Sequence, residues 1–148
     1  MKTVYEVLQE FKTKFPGSIA WRTKKHCAVI EKHLNLEEKV IFAFAAQKNN
    51  DLFELCHTYV FALTNKRILI ASKRLLFGYF LISVTPDLFN DLKVRQGLFW
   101  GGVTIDTVKE LICFSNVAKK GLDEIETRVS EFMMEEKKKY IHPSNNGL

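Results

Sequence analysis

The stretch VFALTNKRILIA, Val60 to Ala71, consists of two apolar runs joined by Thr64-Asn65-Lys66-Arg67. Asn65 can hydrogen-bond its own backbone and tolerates a left-handed conformation, so the segment predicts a tight β-hairpin. Further strand-like segments lie on both sides. Val40 to Gln47 is the first, closed by a polar turn at Lys48-Asn49-Asn50-Asp51. Phe53 to Leu63 is the second, with Leu55, His57, Tyr59, Phe61 and Leu63 on one face. Arg67 to Ser72 completes the hairpin, and Phe77 to Ser83 follows, ended by Pro86. Asp91 to Gln96, Val103 to Val108 and Leu111 to Phe114 supply three more. Seven short strands at this spacing predict a mainly β fold, an antiparallel sandwich or a partly closed barrel that manages its own edges.

The two ends of the chain have a helical period. Val4, Val7, Leu8 and Phe11 share one face, with Glu6 and Glu10 early and Lys12 and Lys14 late, until Pro16-Gly17 stops the helix. A second helix is expected over Arg22 to Leu34, with Cys27, Ile30 and Leu34 inward. Near the other end, Leu122, Ile125, Val129, Phe132 and Met133 recur at three and four, marking a helix with one apolar stripe. Asn116 reads as its N-cap, and the stripe is expected to bury itself across the open end of the β-structure. The domain organisation read from this is a helical annex over residues 1–34, a β-domain capped by the helix over 35–140, and a flexible tail over 141–148.

Bulk composition narrows the class. The 148 residues are 47% hydrophobic with 12 Phe and 3 Pro, enough for a real core and unlike a disordered chain. Three cysteines, Cys27, Cys56 and Cys113, have no CxxC spacing, which argues for free thiols in a reducing compartment. No continuous apolar leader is present, and Leu75 to Val84 is far shorter than a spanning helix, so the expected location is the cytoplasm. The formal charge is +5. Residues 1–33 hold seven basic and three acidic side chains, so most of the excess lies there.

Three segments together resemble the bacterial PH-like family typified by YokE: LTNKRILIA (Leu63–Ala71), VRQGLFWGGVTIDT (Val94–Thr107) and FSNVAKK (Phe114–Lys120). They match in order a T-[DN]-K-R hairpin, a glycine-rich turn and an F-x-N-V segment before a last helix. Trp100 stands as an insertion in the tighter turn of the family. The resemblance covers roughly residues 35–138 and implies a PH-like seven-stranded antiparallel, partly closed barrel capped by a C-terminal helix. It implies no reaction, no cofactor and no catalytic residue.

Candidate sites follow from the residues. Gly97-Leu98-Phe99-Trp100-Gly101-Gly102 presents more apolar side chains than one core can take, so Leu98, Phe99 and Trp100 are interaction candidates, with Gly101-Gly102 supplying positive φ. Lys66 and Arg67 are further interaction candidates, weighed against hairpin geometry with a surface ion pair. Lys73 and Arg74 lie roughly 20 Å from them at the far end of the strand, too far to share a phosphate. The first strand turn has no lysine–arginine cluster, which argues against phosphoinositide binding of the eukaryotic kind. Asn116, Lys119 and Lys120 at a helix start are anion-binding candidates, as are Arg22, Lys24 and Lys25 in the basic N-terminal segment. His26, His33, His57 and His142 have no metal-ligand spacing, and no nucleophile signature such as G-x-S-x-G occurs. The reading is a non-catalytic binding or scaffolding module. Its expected partner is a protein or a second copy; the alternative is electrostatic binding of anionic membrane or nucleic acid.

Overall fold

In the computed structural model of the chain, which describes residues 1–48 and 58–141, helix α1 (Val4–Lys14) starts at a capping box. Thr3 Oγ1 accepts from the Glu6 amide (3.2 Å), and the Glu6 carboxylate accepts from the Thr3 amide (2.7 Å), which satisfies donors the helix itself leaves free. Helix α2 (Thr23–His33) starts without a side-chain cap, behind Arg22 in a left-handed conformation. Val4, Val7 and Leu8 of α1 and Cys27, Val29 and Ile30 of α2 are buried together.

The strands are β1 (Val40–Lys48), β2 (Thr58–Thr64), β3 (Ile68–Lys73), β4 (Tyr79–Val84), β5 (Phe89–Gln96), β6 (Gly101–Thr107) and β7 (Leu111–Val117). The Thr64–Arg67 hairpin forms as its sequence predicts: Leu63 faces Ile68, and the Thr64 amide donates to the Arg67 carbonyl at 2.9 Å. The segment 53–57 of the expected second strand, with Cys56 and His57, lies outside the described residues, as do His142 and the rest of the tail.

Strands β1 to β3 are buried on both faces. Phe42, Phe44, Phe61, Leu63, Ile68 and Ile70 point to one side; Ala43, Ala45, Val60, Ala62, Leu69 and Ala71 point to the other. The second face is mostly alanine and valine. Small side chains let α1 and α2 lie close against the sheet, and burial on both faces is why these strands read as continuous apolar runs.

All pairings are antiparallel, in the order β4-β3-β2-β1-β7-β6-β5. The expected partly closed barrel is not formed. The sheet is open, with β4 and β5 at its two edges and no ladder between them among the described residues. Among the described residues its halves are joined where Gln47 and Lys48 of β1 meet Ser115 and Phe114 of β7. Residues of both halves nevertheless enter one apolar cluster with Leu122, Ile125, Val129 and Met133 of helix α3 (Leu122–Ile141), so the sheet folds over and the helix fills its mouth. Between β4 and β5 the chain makes a short 3-10 turn over Pro86–Leu88, and Pro86, lacking an N–H, cannot extend the ladder. The apolar stripe of α3 covers the core alongside β5 and the Pro86–Leu88 turn that precedes it.

Asn116 does not cap α3. It sits in β7 at φ 59°, where β7 has one residue more than β6 between the pairs Gly101–Val117 and Val103–Phe114. Its carbonyl accepts from the Ile19 amide (2.9 Å), and its side-chain amide donates to Gln47 Oε1. The chain then turns through Lys119–Gly121 before α3 begins at Leu122. A Cβ on Gly121 would stand 2.6 Å from Phe11 Cζ, so this glycine marks the approach of α1.

Candidate functional site

Arg67 leaves the hairpin turn inward. Its guanidinium donates to both oxygens of Glu38 (3.0 and 3.1 Å), to Ser83 Oγ (3.0 Å) and to the His33 carbonyl (3.0 Å). Glu38 also accepts from Thr64 Oγ1 (2.8 Å) and from the Asn35 amide (2.9 Å). Burial pushes the Glu38 carboxyl up, but the bonds from Arg67, the Asn35 amide and Thr64 outweigh it and hold it below the usual range. Glu38 is fully buried and Arg67 half-buried, so this is not a surface ion pair; the chain preceding β1 folds over the hairpin and brings Glu38 above it. Lys66 remains exposed, its ammonium 3.3 Å from the Leu36 carbonyl.

The 97–102 loop stands at the end of the strands where β5 meets β6. Leu98 is 82% exposed, Phe99 73% and Trp100 40%. The Trp100 indole N–H donates to the Gly17 carbonyl (3.0 Å), and the Gly97 amide donates to the Trp100 carbonyl (2.8 Å), so the loop is braced at both ends. Neither Gly101 nor Gly102 has a positive φ. Gly101 is there for space: a Cβ would lie 2.3 Å from Leu122 Cδ1.

Lys119 and Lys120 are exposed on the turn before α3, while the Asn116 side chain is engaged with Gln47. The first turn of α3 carries Asp123 and Glu124, which oppose an anion at that helix end. These three residues are not brought together as one site.

Arg22, Lys24 and Lys25 behave differently. Lys24 turns towards α1, its ammonium 5.9 Å from the Tyr5 ring. Arg22 and Lys25, with Lys32 of the same helix, line a groove of about 410 Å³ whose opposite wall is Lys73, Arg74, Leu75 and Tyr79 of the β3–β4 hairpin. Val29 and Ala28 also line it, and no carboxylate does so among the described residues. Two contacts hold the walls together. His26 of α2 accepts from the Lys73 amide through Nδ1 (2.7 Å), and His33 Nε2 lies 3.0 Å from the Tyr79 hydroxyl. Burial first, and then the charge of Arg22, pull the His26 pKa down to about 4, so the ring is neutral and Nδ1 is free to accept.

The tip of that hairpin is a feature sequence reasoning passed over. Leu75, Leu76 and Phe77 are 79%, 80% and 84% exposed. The loop is closed by Gly78 at φ 79° and by the Arg74 amide donating to the Gly78 carbonyl (3.1 Å). Arg74 lies over the Phe80 ring at 5.0 Å. The signal was a basic pair followed directly by three large apolar residues and a glycine, which the strand pattern absorbed. Among the described residues no three His, Cys, Asp or Glu side chains gather into a metal site, and no helix is long and apolar enough to cross a membrane.

Residues 34–131 match the family model described as "Bacterial PH domain". The chain belongs to the bacterial PH domain family. This PH-family chain is similar to a crystal structure of a DUF1696 family protein with a pleckstrin-homology domain from Shewanella loihica PV-4. That likeness is at 13% identity, over 88% of this chain and 96% of the other, with a TM-score of 0.43. It is also similar to a pleckstrin homology domain from Shewanella amazonensis SB2B, at 14% identity, over 84% and 94% of the two chains, with a TM-score of 0.45. No curated protein matches it. Within the PH-domain match lie the hairpin tip, Lys73 and Arg74, and the 97–102 loop; Arg22, Lys25 and Lys32 precede it.

Proposed function

We propose that this PH-family protein is a non-catalytic binding module that holds a protein partner through Leu98 and Phe99. The observation that carries the reading is the bracing of that loop. Trp100 is anchored on Gly17, so two large apolar side chains are held out with little freedom left to lose on binding. A rigid exposed aromatic beside an aliphatic residue is the kind of anchor that dominates protein interfaces. The Glu38–Arg67 cluster serves the scaffold, because the Arg67 guanidinium donates to Glu38, to Ser83 and to the His33 carbonyl, all groups of the chain itself.

The test is a parallel affinity capture from the source cell with the wild-type chain and a Leu98→Ser/Phe99→Ser variant, together with a mass measurement in solution. A partner lost on double substitution, or a dimer converted to monomer, supports the reading. A monomer whose captured partners are the same for both chains rejects it.

A further inference from the structure

The strand directions place the β3–β4 and β5–β6 loops at opposite ends of the sheet. Strand β3 runs antiparallel to β2 and β2 to β1, while β6 runs in the sense of β1 through β7. The groove between α2 and the β3–β4 hairpin is therefore a site separate from Leu98 and Phe99, and its use does not rest on the reading above.

Five cations line this groove: Arg22, Lys25 and Lys32 from α2 and its N-cap, Lys73 and Arg74 from the hairpin. None of the five has a carboxylate partner among the described residues. The His26 and His33 contacts clasp the two walls, so like charges are held on facing sides of a cleft. Low-dielectric walls concentrate their field there and raise the local concentration of anions. Arg22, Lys25 and Lys32 precede the residues matched to the PH-family model, so the groove is a product of the annex helix as much as of the PH body.

Dimensions and lining select the ligand. Lys25 and Lys32 are seven positions apart on α2, about 10 Å along its axis, and Arg22 extends the row to about 15 Å. A single phosphate, which holds its donors at about 2.8 Å, cannot span such a row. About five residues of extended peptide can, at roughly 3.3 Å each. The apolar lining is Ala28, Val29, Leu75 and Tyr79, mostly aliphatic, so a run of nucleic-acid bases finds no series of aromatic platforms. A flat bilayer meets only the rim of a concave site. A peptide with carboxylates on some residues and an apolar side chain on another answers the charge and the lining together.

We propose that this groove holds an extended acidic segment of a partner protein. Its carboxylates lie against Arg22, Lys25, Lys32, Lys73 and Arg74, and an apolar side chain of the segment packs on Val29 and Leu75. The histidine clasp sets the spacing of the walls before the peptide arrives, so little ordering is left for binding to offset.

Fluorescence anisotropy with labelled hexapeptides tests the proposal. The probe is Glu-Leu-Glu-Glu-Phe-Glu; one control has Gln for every Glu, and a second has Ser for Leu and Phe. The wild-type chain is expected to bind the probe at low salt, to lose about tenfold in affinity at about 0.3 M salt, and not to bind the Gln peptide. The Ser peptide is expected to bind about tenfold more weakly. Lys25→Ser/Lys32→Ser should cost about fivefold or more, whereas Lys93→Ser/Lys109→Ser, which removes the same charge at exposed positions elsewhere, should leave the affinity unchanged. Leu75→Ser should weaken the probe and not the Ser peptide. Absence of binding at low salt overturns the proposal, as does equal binding of the probe and the Ser peptide, or an equal loss in the two lysine variants. Anionic vesicles or duplex DNA bound more tightly than the probe, and released by Lys25→Ser/Lys32→Ser, would assign the groove to them and also overturn it. A low-salt dimer broken by that same pair would assign it to a second copy, with the same consequence.

Discussion

Glu38 and Arg67, 29 positions apart in the chain, meet through two hydrogen bonds of 3.0 and 3.1 Å, with the Glu38 side chain fully buried. The pair joins the end of α2, the start of β1, the β2–β3 hairpin and β4, since Arg67 also reaches the His33 carbonyl and Ser83. Replacing Arg67 by Leu leaves a carboxylate buried without its cation. The expected loss is about 3–5 kcal/mol in urea unfolding, whereas Lys66→Ala should stay within about 0.5 kcal/mol. Equal effects of the two substitutions would remove Arg67 from its structural role.

Two groups give the stability a defined acid dependence. His26 has its pKa lowered to about 4 from the ordinary 6.5, so the unfolded chain takes up a proton that the folded one refuses. Its contribution is full above about 6.5 and is lost as the pH falls towards 4, amounting to on the order of 3 kcal/mol. Glu38, held below 4.5, acts in the opposite sense of charge; its contribution is present above 4.5 and disappears as the pH falls through the folded value. A His26→Gln chain should therefore show a flatter stability curve between pH 6.5 and 4 while keeping the steep fall below. An unchanged slope in the upper window would contradict this assignment.

Gly101 is required by volume. A methyl group there meets Leu122 at 2.3 to 2.8 Å, in the core between β6 and α3. Gly101→Ala is expected to cost about 1–3 kcal/mol. Gly102→Ala should cost less, since its nearest neighbour is the Phe114 carbonyl oxygen at 3.3 Å. Thermal unfolding of the two variants side by side decides the order.

Trp100 should act on its own loop more than on global stability. Trp100→Phe removes the donor to Gly17, a loss of about 1 kcal/mol, and frees the loop that carries Leu98 and Phe99. Limited chymotrypsin digestion is the measurement. Faster cleavage at Leu98–Phe99 in the variant is expected, and equal rates would show that the loop is held by other means.

Cys27 is buried in α2, and burial, followed by the charge of Glu31, pushes its thiol up to about 12. In a Cys56→Ser background, a disulfide reagent near pH 8 should modify the half-buried Cys113 and leave Cys27 unmodified until the chain unfolds. Rapid modification of both native thiols would contradict the packing of α2 on β3.

How far the chain alone determines this molecule depends on the range of the forces involved. The Thr64–Arg67 hairpin was legible because a turn is settled by a few adjacent residues, and the Leu122–Met133 stripe because helical period is a local property. The strands over Val40 to Leu63 were legible as strands, but their second buried face was not used, although alanine recurs at Ala43, Ala45 and Ala62 where α1 and α2 come to rest. Closure was not legible: a run of strands specifies pairing partners in sequence, while an open edge depends on whether β4 reaches β5, and here both are edge strands, with α3 packed on β5 and on the turn before it. Asn116 has the right chemistry for a cap, but it lies within β7, and the Lys119–Gly121 turn separates it from α3. Charge content likewise belongs to the chain. That Arg22, Lys25 and Lys32 should face Lys73 and Arg74 beside an apolar tip, with Lys24 turned away, was decided by tertiary structure, because long-range packing alone determines which helix face looks at which hairpin.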